Sequence, residues 1–226
     1  MKQWLRQLSG LANLCLESAC PLCQRSTQQV LCLDCQRQLQ RLQLPNAEQS
    51  WQPPLPVFAW GTYSGSLKRV LAVLKYNHQP QLAQPLGNWL GQRWLAAPVH
   101  KPSLVVVPIP MHIEKQRQRG FNQAERLANA FCQRTGLMLC ANGLIRCRST
   151  EAQFGLSASA RLENLANAFE VGAALLHPPR PTAVLLLDDI YTTGATARAA
   201  AAALRQQRIS VYGIVVIAKT ASSQSS

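Results

Sequence analysis

The sequence predicts an α/β protein, a parallel sheet flanked by helices, with a small metal-held module ahead of it. Two apolar runs, Leu104 to Val107 and Val184 to Leu187, have the length and unbroken hydrophobicity of strands buried on both faces. Each leads into a polar loop and then a helix-forming stretch, the order from which parallel sheets are assembled. Near the start, two Cys-x-x-Cys pairs, Cys20 with Cys23 and Cys32 with Cys35, stand eight residues apart.

The totals are compatible with that layout. A chain of 226 residues, 47% apolar, can bury one large core and carry an appendage. Its 23 Lys and Arg against 10 Asp and Glu give a formal charge of +13, which points to anionic partners such as phosphorylated metabolites, nucleic acid or acidic lipid. The basic residues are spread along the chain, so a solubilising surface accounts for the charge as well. In the opening MKQWLRQLSGLANLCL, Trp4, Leu5, Leu8, Leu11 and Leu14 recur at helical spacing. That is an amphipathic helix rather than the continuous run of a signal peptide. No stretch reaches the ~20 apolar residues of a membrane span, and the expectation is a soluble, cytoplasmic protein.

The cysteine pairs match a tetrahedral Zn²⁺ site in which each pair gives two thiolates. Cys20, Cys23, Cys32 and Cys35 would leave no open position for a substrate, so the expected role is structural. A segment this short has too little core to fold alone, and the metal would supply the folding energy. Residues 1–50 are expected to form this module with its leading helix, residues 51–220 the main domain, and 221–226 a disordered tail. Cys15 lies in the leading helix and reads as core; Cys132, Cys140 and Cys147 lack ligand spacing and read as buried small hydrophobes. The proline-rich stretch from Leu44 to Pro56 reads as a linker.

Val57 to Tyr63 follows as an edge strand or hairpin arm. Ser64 is placed to cap a helix whose apolar face is Leu67, Val70, Leu71 and Leu74. Lys75 ends that helix off the stripe, where a cation suits the negative end of the dipole. A second helix is expected from Leu82 to Leu95. After Leu104 to Val107, the prolines at 108 and 110 stiffen a loop and make an unusual peptide geometry available. Lys115, Arg117 and Arg119 then offer cations suited to a pyrophosphate, or simply a solvated basic loop. His112 has no carboxylate partner in view. Leu137 to Ile145 reads as a strand, Arg148 to Ser159 as either a mobile lid or an inert loop, and Ala160 to Ala168 as a helix. Ala195 to Leu204, rich in alanine, is narrow enough to pack closely on the sheet. Val211 to Ala218 is the last strand.

The chemistry concentrates in VLLLDDIYTTGAT, Val184 to Thr196. Ligands of open α/β sheets bind at the carboxyl ends of strands. Backbone N–H groups at a helix start, with glycine allowing close approach, suit a phosphate. Two carboxylates beside them would repel a bare anion, but they suit hydroxyls or Mg²⁺. A sugar phosphate satisfies both halves.

This stretch resembles the signature of the type I phosphoribosyltransferases, which bind 5-phosphoribosyl-1-pyrophosphate (PRPP). The resemblance implies that fold for the main domain, with a zinc-ribbon-like module in front. It implies that Asp188 and Asp189 face the ribose hydroxyls as the catalytic pair. Thr192, Thr193, Gly194, Ala195 and Thr196 would wrap the 5′-phosphate. Pro110, Met111 and His112, with Arg117 and Arg119, would hold the pyrophosphate and its Mg²⁺. RGFNQAERLA (Arg119 to Ala128) is similar to a motif of the ComF family, which includes the GntX/YhgH-like proteins. In RCRSTEAQFGLSASARLENLANAF, Arg148, Thr150, Gln153, Leu156, Arg161, Asn164 and Phe169 fall in that family's order. The family layout implies phosphoribosyl transfer to an acceptor the sequence does not identify, in competence or in the use of imported DNA. The alternative is a non-catalytic adaptor with a vestigial PRPP site, whose partners are single-stranded DNA and a competence helicase.

Overall fold

The computed structural model describes residues 18–100, 102–147, 168–177 and 183–221. The leading helix expected from the sequence, with Cys15, the motif residues Arg148 to Asn164 and most of the tail lie outside them. A small antiparallel hairpin, β1 (Ser18–Ala19) and β2 (Ser26–Thr27), precedes α1 (Leu33–Gln40). Next come β3 (Val57–Thr62), α2 (Gly65–Tyr76), a 3₁₀ turn (Pro80–Leu82), α3 (Ala83–Ala96), β4 (Leu104–Pro108), α4 (Ile113–Arg119) and α5 (Gln123–Thr135). The chain continues through β5 (Met138–Leu139), β6 (Leu144–Arg146), β7 (Phe169–Val171), α6 (Ala173–Leu176), β8 (Ala183–Tyr191), α7 (Ala195–Gln206) and β9 (Val211–Lys219). None of the described helices is long and apolar enough to cross a membrane.

Five strands form one sheet in the order β3-β9-β8-β4-β5, and every neighbouring pair is parallel. The expected α/β architecture is therefore present. Strand β8 is central, and Val184, Leu185, Leu186 and Leu187 are fully buried because both faces are covered. Leu185 and Leu187 pack toward α2, α3 and α5, through residues such as Leu71, Trp94 and Phe131. Val184 and Leu186 pack toward α7, whose Ala197, Ala200 and Ala201 are buried against the sheet.

Several expectations change. Strand β8 does not stop at Leu187: its pairing with β9 continues through Asp188↔Val216 and Tyr191↔Lys219, so the two carboxylates lie within the strand. Ser64 sits at the start of α2, but its side chain makes no capping bond. The single strand expected from Leu137 to Ile145 is split: β5 joins the main sheet, whereas β6 leaves to pair with β7 in a separate ladder. Cys132 is buried as expected, Cys140 is half-buried and Cys147 is exposed. No cis bond precedes Pro108 or Pro110; the cis bond among the described residues is Pro53–Pro54.

The proline-rich stretch is docked rather than free. The Leu44 N–H donates to the Trp60 carbonyl at 2.9 Å, and the Ala59 N–H donates to Ala47 at 3.0 Å. These bonds occupy polar groups that an edge strand would otherwise leave open. Trp51 packs edge-on against Trp94 at 5.5 Å, and Gly213 leaves it room, since a Cβ there would meet the Trp51 ring at 2.6 Å. The cysteine module shares the same core. Cys20, Leu22, Leu31, Cys35 and Leu39 are buried in the cluster that holds Leu67 and Leu71, and Arg69 donates to the Leu22 carbonyl.

Candidate functional site

Two sites stand out, one built of sulfur and one at the carboxyl ends of the strands. Cys20 and Cys23 sit on the β1–β2 turn, while Cys32 and Cys35 flank the first turn of α1. Their sulfurs all lie within 4.8 Å of one another, and Cys23 Sγ is 3.5 Å from Cys32 Sγ. A tetrahedral Zn²⁺ with Zn–S bonds near 2.3 Å needs sulfurs about 3.8 Å apart, so the cluster fits such an ion with little movement. Burial works against a charged Cys20 thiol, but the backbone N–H groups of Cys32, Leu22 and Cys23 outweigh it and bring the pKa down to about 6. Burial and the other three thiols push Cys35 up. One thiolate is thus ready at neutral pH, and a cation is what would draw off the other protons.

At the sheet's carboxyl edge, Asp188, Thr192, Thr193, Gly194, Ala195 and Thr196 line one depression of about 50 Å³. Gly194 has φ +75°, the left-handed region, and this turns the chain sharply into α7. No side chain caps α7, although Thr193 Oγ1 accepts a long bond from the Ala195 N–H at 3.4 Å. The first N–H groups of a twelve-residue helix are therefore available to an anion. Arg198 braces the loop by donating to the Thr193 carbonyl at 2.8 Å. Sequence reading missed Arg198, which lies one turn into the helix and carries no motif signal.

The acid pair is not a single unit. Alternation along β8 sends Asp188 to the α7 face and Asp189 to the opposite one. There Asp189 is buried, and Lys75 Nζ from the last turn of α2 lies 2.5 Å from its Oδ2. The reading of Lys75 as a dipole cation off the apolar stripe is thereby corrected. It falls four residues after the fully buried Leu71, so it extends the inward row. Asp188 accepts the Asp189 N–H at 2.8 Å. Burial first, then the neighbouring Asp189 charge, push the Asp188 carboxyl well above the usual carboxylate range. Arg146, stacked over Phe169 at 5.5 Å, is pulled below its usual value by burial and drawn back up by the charge of Asp188.

A pH dependence follows from Asp188. Its folded pKa is raised, so the native state holds a proton that the unfolded chain releases near pH ~4. Its contribution to stability is full below that pH and is lost as pH rises through the folded value. Asp188→Asn removes the titration. Urea unfolding should show the variant gaining stability relative to the wild type between pH 5 and pH 8; a constant difference across that range contradicts the shift.

The second loop begins where the Ile109 N–H donates to the Leu187 carbonyl at 2.8 Å, beside the acid pair. Pro110, Met111 and His112 follow, all half-buried, and His112 Nδ1 lies 3.6 Å from Glu114. Glu114 is thus the carboxylate neighbour that sequence reading did not assign to His112. Arg117 is exposed on α4. Arg119 donates to Gln123 at 2.5 Å and lies 5.4 Å from the centre of the Tyr76 ring. Within RGFNQ, Asn122 plays a structural part. It is buried, caps α5 by accepting the Ala124 N–H at 3.0 Å, and donates to the Ile109 carbonyl at 3.2 Å. The motif fastens the loop to the helix behind it.

No protein-family model matches the chain. It is 33% identical over 112 residues to Competence protein F of Haemophilus influenzae, a match spanning 48% of either chain. It is 28% identical over 185 residues to the DNA utilization protein YhgH of Salmonella typhimurium, covering 78% of this chain and 79% of the other. Among solved structures it is similar to adenine phosphoribosyltransferase from Leishmania donovani, with a TM-score of 0.41 and 15% identity over 72% of this chain and 71% of that one. The ComF resemblance of the motifs is borne out by the names of these relatives.

Proposed function

We propose that the protein binds PRPP or a related phosphoribosyl ligand at the carboxyl edge of its sheet, and acts in competence or in the use of imported DNA. One observation carries this reading. An acid, Asp188, lines the same depression as the uncapped helix start from Thr192 to Thr196. A phosphate on the helix N–H groups and a ribose diol at the acids is the arrangement that fills both. The relatives named for competence and for DNA utilization support the biological setting, and a cytoplasmic location fits it.

As an enzyme, the chain would transfer the phosphoribosyl group while pyrophosphate leaves. Asp188 and Asp189 would hold the ribose, and carboxylate charge at the pair would offset positive charge developing at the anomeric carbon. Pro110, Met111 and His112, with Arg117 and Arg119, would receive the departing pyrophosphate. Zn²⁺ would be held by Cys20, Cys23, Cys32 and Cys35 and would stiffen the module of residues 1–50 against the domain of residues 51–220. The acid pair does not offer Mg²⁺ an open pair of carboxylates, because Asp189 already meets Lys75. A second reading, a non-catalytic adaptor for single-stranded DNA, draws support from the +13 charge.

Calorimetry with PRPP decides between them. The expected result is a one-site isotherm, abolished by Asp188→Asn combined with Asp189→Asn. An absence of heat at millimolar PRPP overturns the phosphoribosyl reading. If single-stranded DNA then binds with an affinity that falls steeply with salt, the adaptor reading stands instead.

A further inference from the structure

Burying two opposite charges is favourable only when hydrogen bonds complete the pair. The ion pair between Lys75 and Asp189 lacks that completion. Their side chains are 18% and 5% exposed and the charged atoms are 2.5 Å apart, yet Asp189 Oδ2 receives no aligned hydrogen bond. The fold brings this cation in from a buried helix face. Lys75 is in the last turn of α2, and Leu67, Val70, Leu71 and Leu74 of that helix are fully buried. The next residue, Tyr76, is 71% exposed and lies under the Arg119 guanidinium. The end of α2 therefore stands between the acid strand and the basic helix α4. On the other face of β8, Asp188 is met electrostatically by Arg146. Lys75 acts on Asp188 as well, so one ammonium serves both carboxylates.

A divalent ion bridging two carboxylates needs oxygen ligands free to surround it. Here the charge it would supply is already present. We propose that Lys75 is a binding-site residue that takes the place of a divalent cation at the acid pair, so that Asp188 and Asp189 hold ribose hydroxyls without metal. The inference rests on the phosphoribosyl reading of the site. Any Mg²⁺ that travels with PRPP then belongs to the pyrophosphate alone. The ammonium sets the orientation of Asp189, while the incompletely bonded oxygen has capacity left to accept from a ligand hydroxyl.

Ribose 5-phosphate tests this, because it has the phosphate and the hydroxyls but no pyrophosphate to recruit metal. Calorimetry would be run in EDTA and in millimolar MgCl₂, on the full chain, with thermal unfolding of each variant alongside. The wild type is expected to bind equally in both buffers. Lys75→Met, similar in length but uncharged, should bind tenfold or more weakly in EDTA, about 1.4 kcal/mol, and recover in Mg²⁺. Lys75→Arg keeps the charge and should remain indifferent to metal. A wild type that requires Mg²⁺ overturns the proposal, and this arm decides even if Lys75→Met does not fold. So does a Lys75→Met protein that unfolds at lower temperature but binds normally in EDTA, since its role is then structural only. If the wild type binds no ribose 5-phosphate in either buffer, the phosphoribosyl reading falls and the inference falls with it.

Discussion

Replacing Cys35 with serine should lower the unfolding temperature of the whole chain by about 10 °C or more, and a zinc chelator should do the same to the unaltered protein. The size of the effect comes from where the cluster sits. Cys20 and Cys35 are buried, and Leu22, Leu31 and Leu39 between and beyond them share a core with Leu67 and Leu71 of α2. Structural zinc contributes ~10–16 kcal/mol of apparent binding energy in small modules that cannot fold without it. Without the ion, four thiols crowd within 4.8 Å, and the exposed Arg25–Asp34 pair at 2.6 Å is a weak substitute for the metal in joining the hairpin to α1. Because Arg69 also holds the Leu22 carbonyl, the disturbance reaches the helix that carries Lys75. Cys147→Ser provides the contrast: that thiol is exposed and its loss should leave the unfolding temperature nearly unchanged. The measurements are metal content after gel filtration and thermal unfolding with and without chelator. A chain that carries no zinc and unfolds at the same temperature with or without chelator contradicts the structural role.

The features legible in the sequence were those written in local pattern. Continuous apolar runs located β4 and β8, the spacing of Leu67, Val70, Leu71 and Leu74 located the buried face of α2, and Cys-x-x-Cys located the sulfur cluster. What escaped was set by partners distant in the chain. Nothing local says that Trp51 enters the space left by Gly213, so its proline-rich surroundings read as a linker. Nothing local says that β9 is long enough to keep pairing past Leu187, so the acids were expected after the strand rather than on its two faces. Lys75 shows the same limit at the candidate site. Its i+4 relation to Leu71 was the available signal, but the helix dipole offered a sufficient local reason for a cation there. Asn122 was seen only as a motif letter, because its bond to Ile109 joins two elements.

Gly194→Ala should weaken ribose 5-phosphate binding by tenfold or more, about 1.4 kcal/mol. Two effects would act together, and a control separates them. At φ +75° any side chain costs about 1–2 kcal/mol of backbone strain. Gly136 has the same left-handed backbone at φ +74°, at the end of α5, so alanine there would meet the same strain, but its Cβ would meet nothing within 4 Å. Gly136→Ala should therefore lose stability without losing ligand. At Gly194 a Cβ would fall 2.1 Å from the Tyr191 hydroxyl, 2.4 Å from its Cζ and 2.9 Å from an Arg198 nitrogen. Something must move. Tyr191 continues the strand that holds Asp188, and Arg198 braces the Thr193 carbonyl, so relief of the clash comes at the expense of the cradle itself. The depression is only about 50 Å³, which leaves no slack for a displaced ring beside a phosphate. If both alanine variants lose comparable stability but only Gly194→Ala loses affinity, the loop from Thr192 to Thr196 is the phosphate site. If Gly194→Ala binds like the wild type, the phosphate is held elsewhere, and Asp188 loses the neighbour that made a sugar phosphate the fitting ligand.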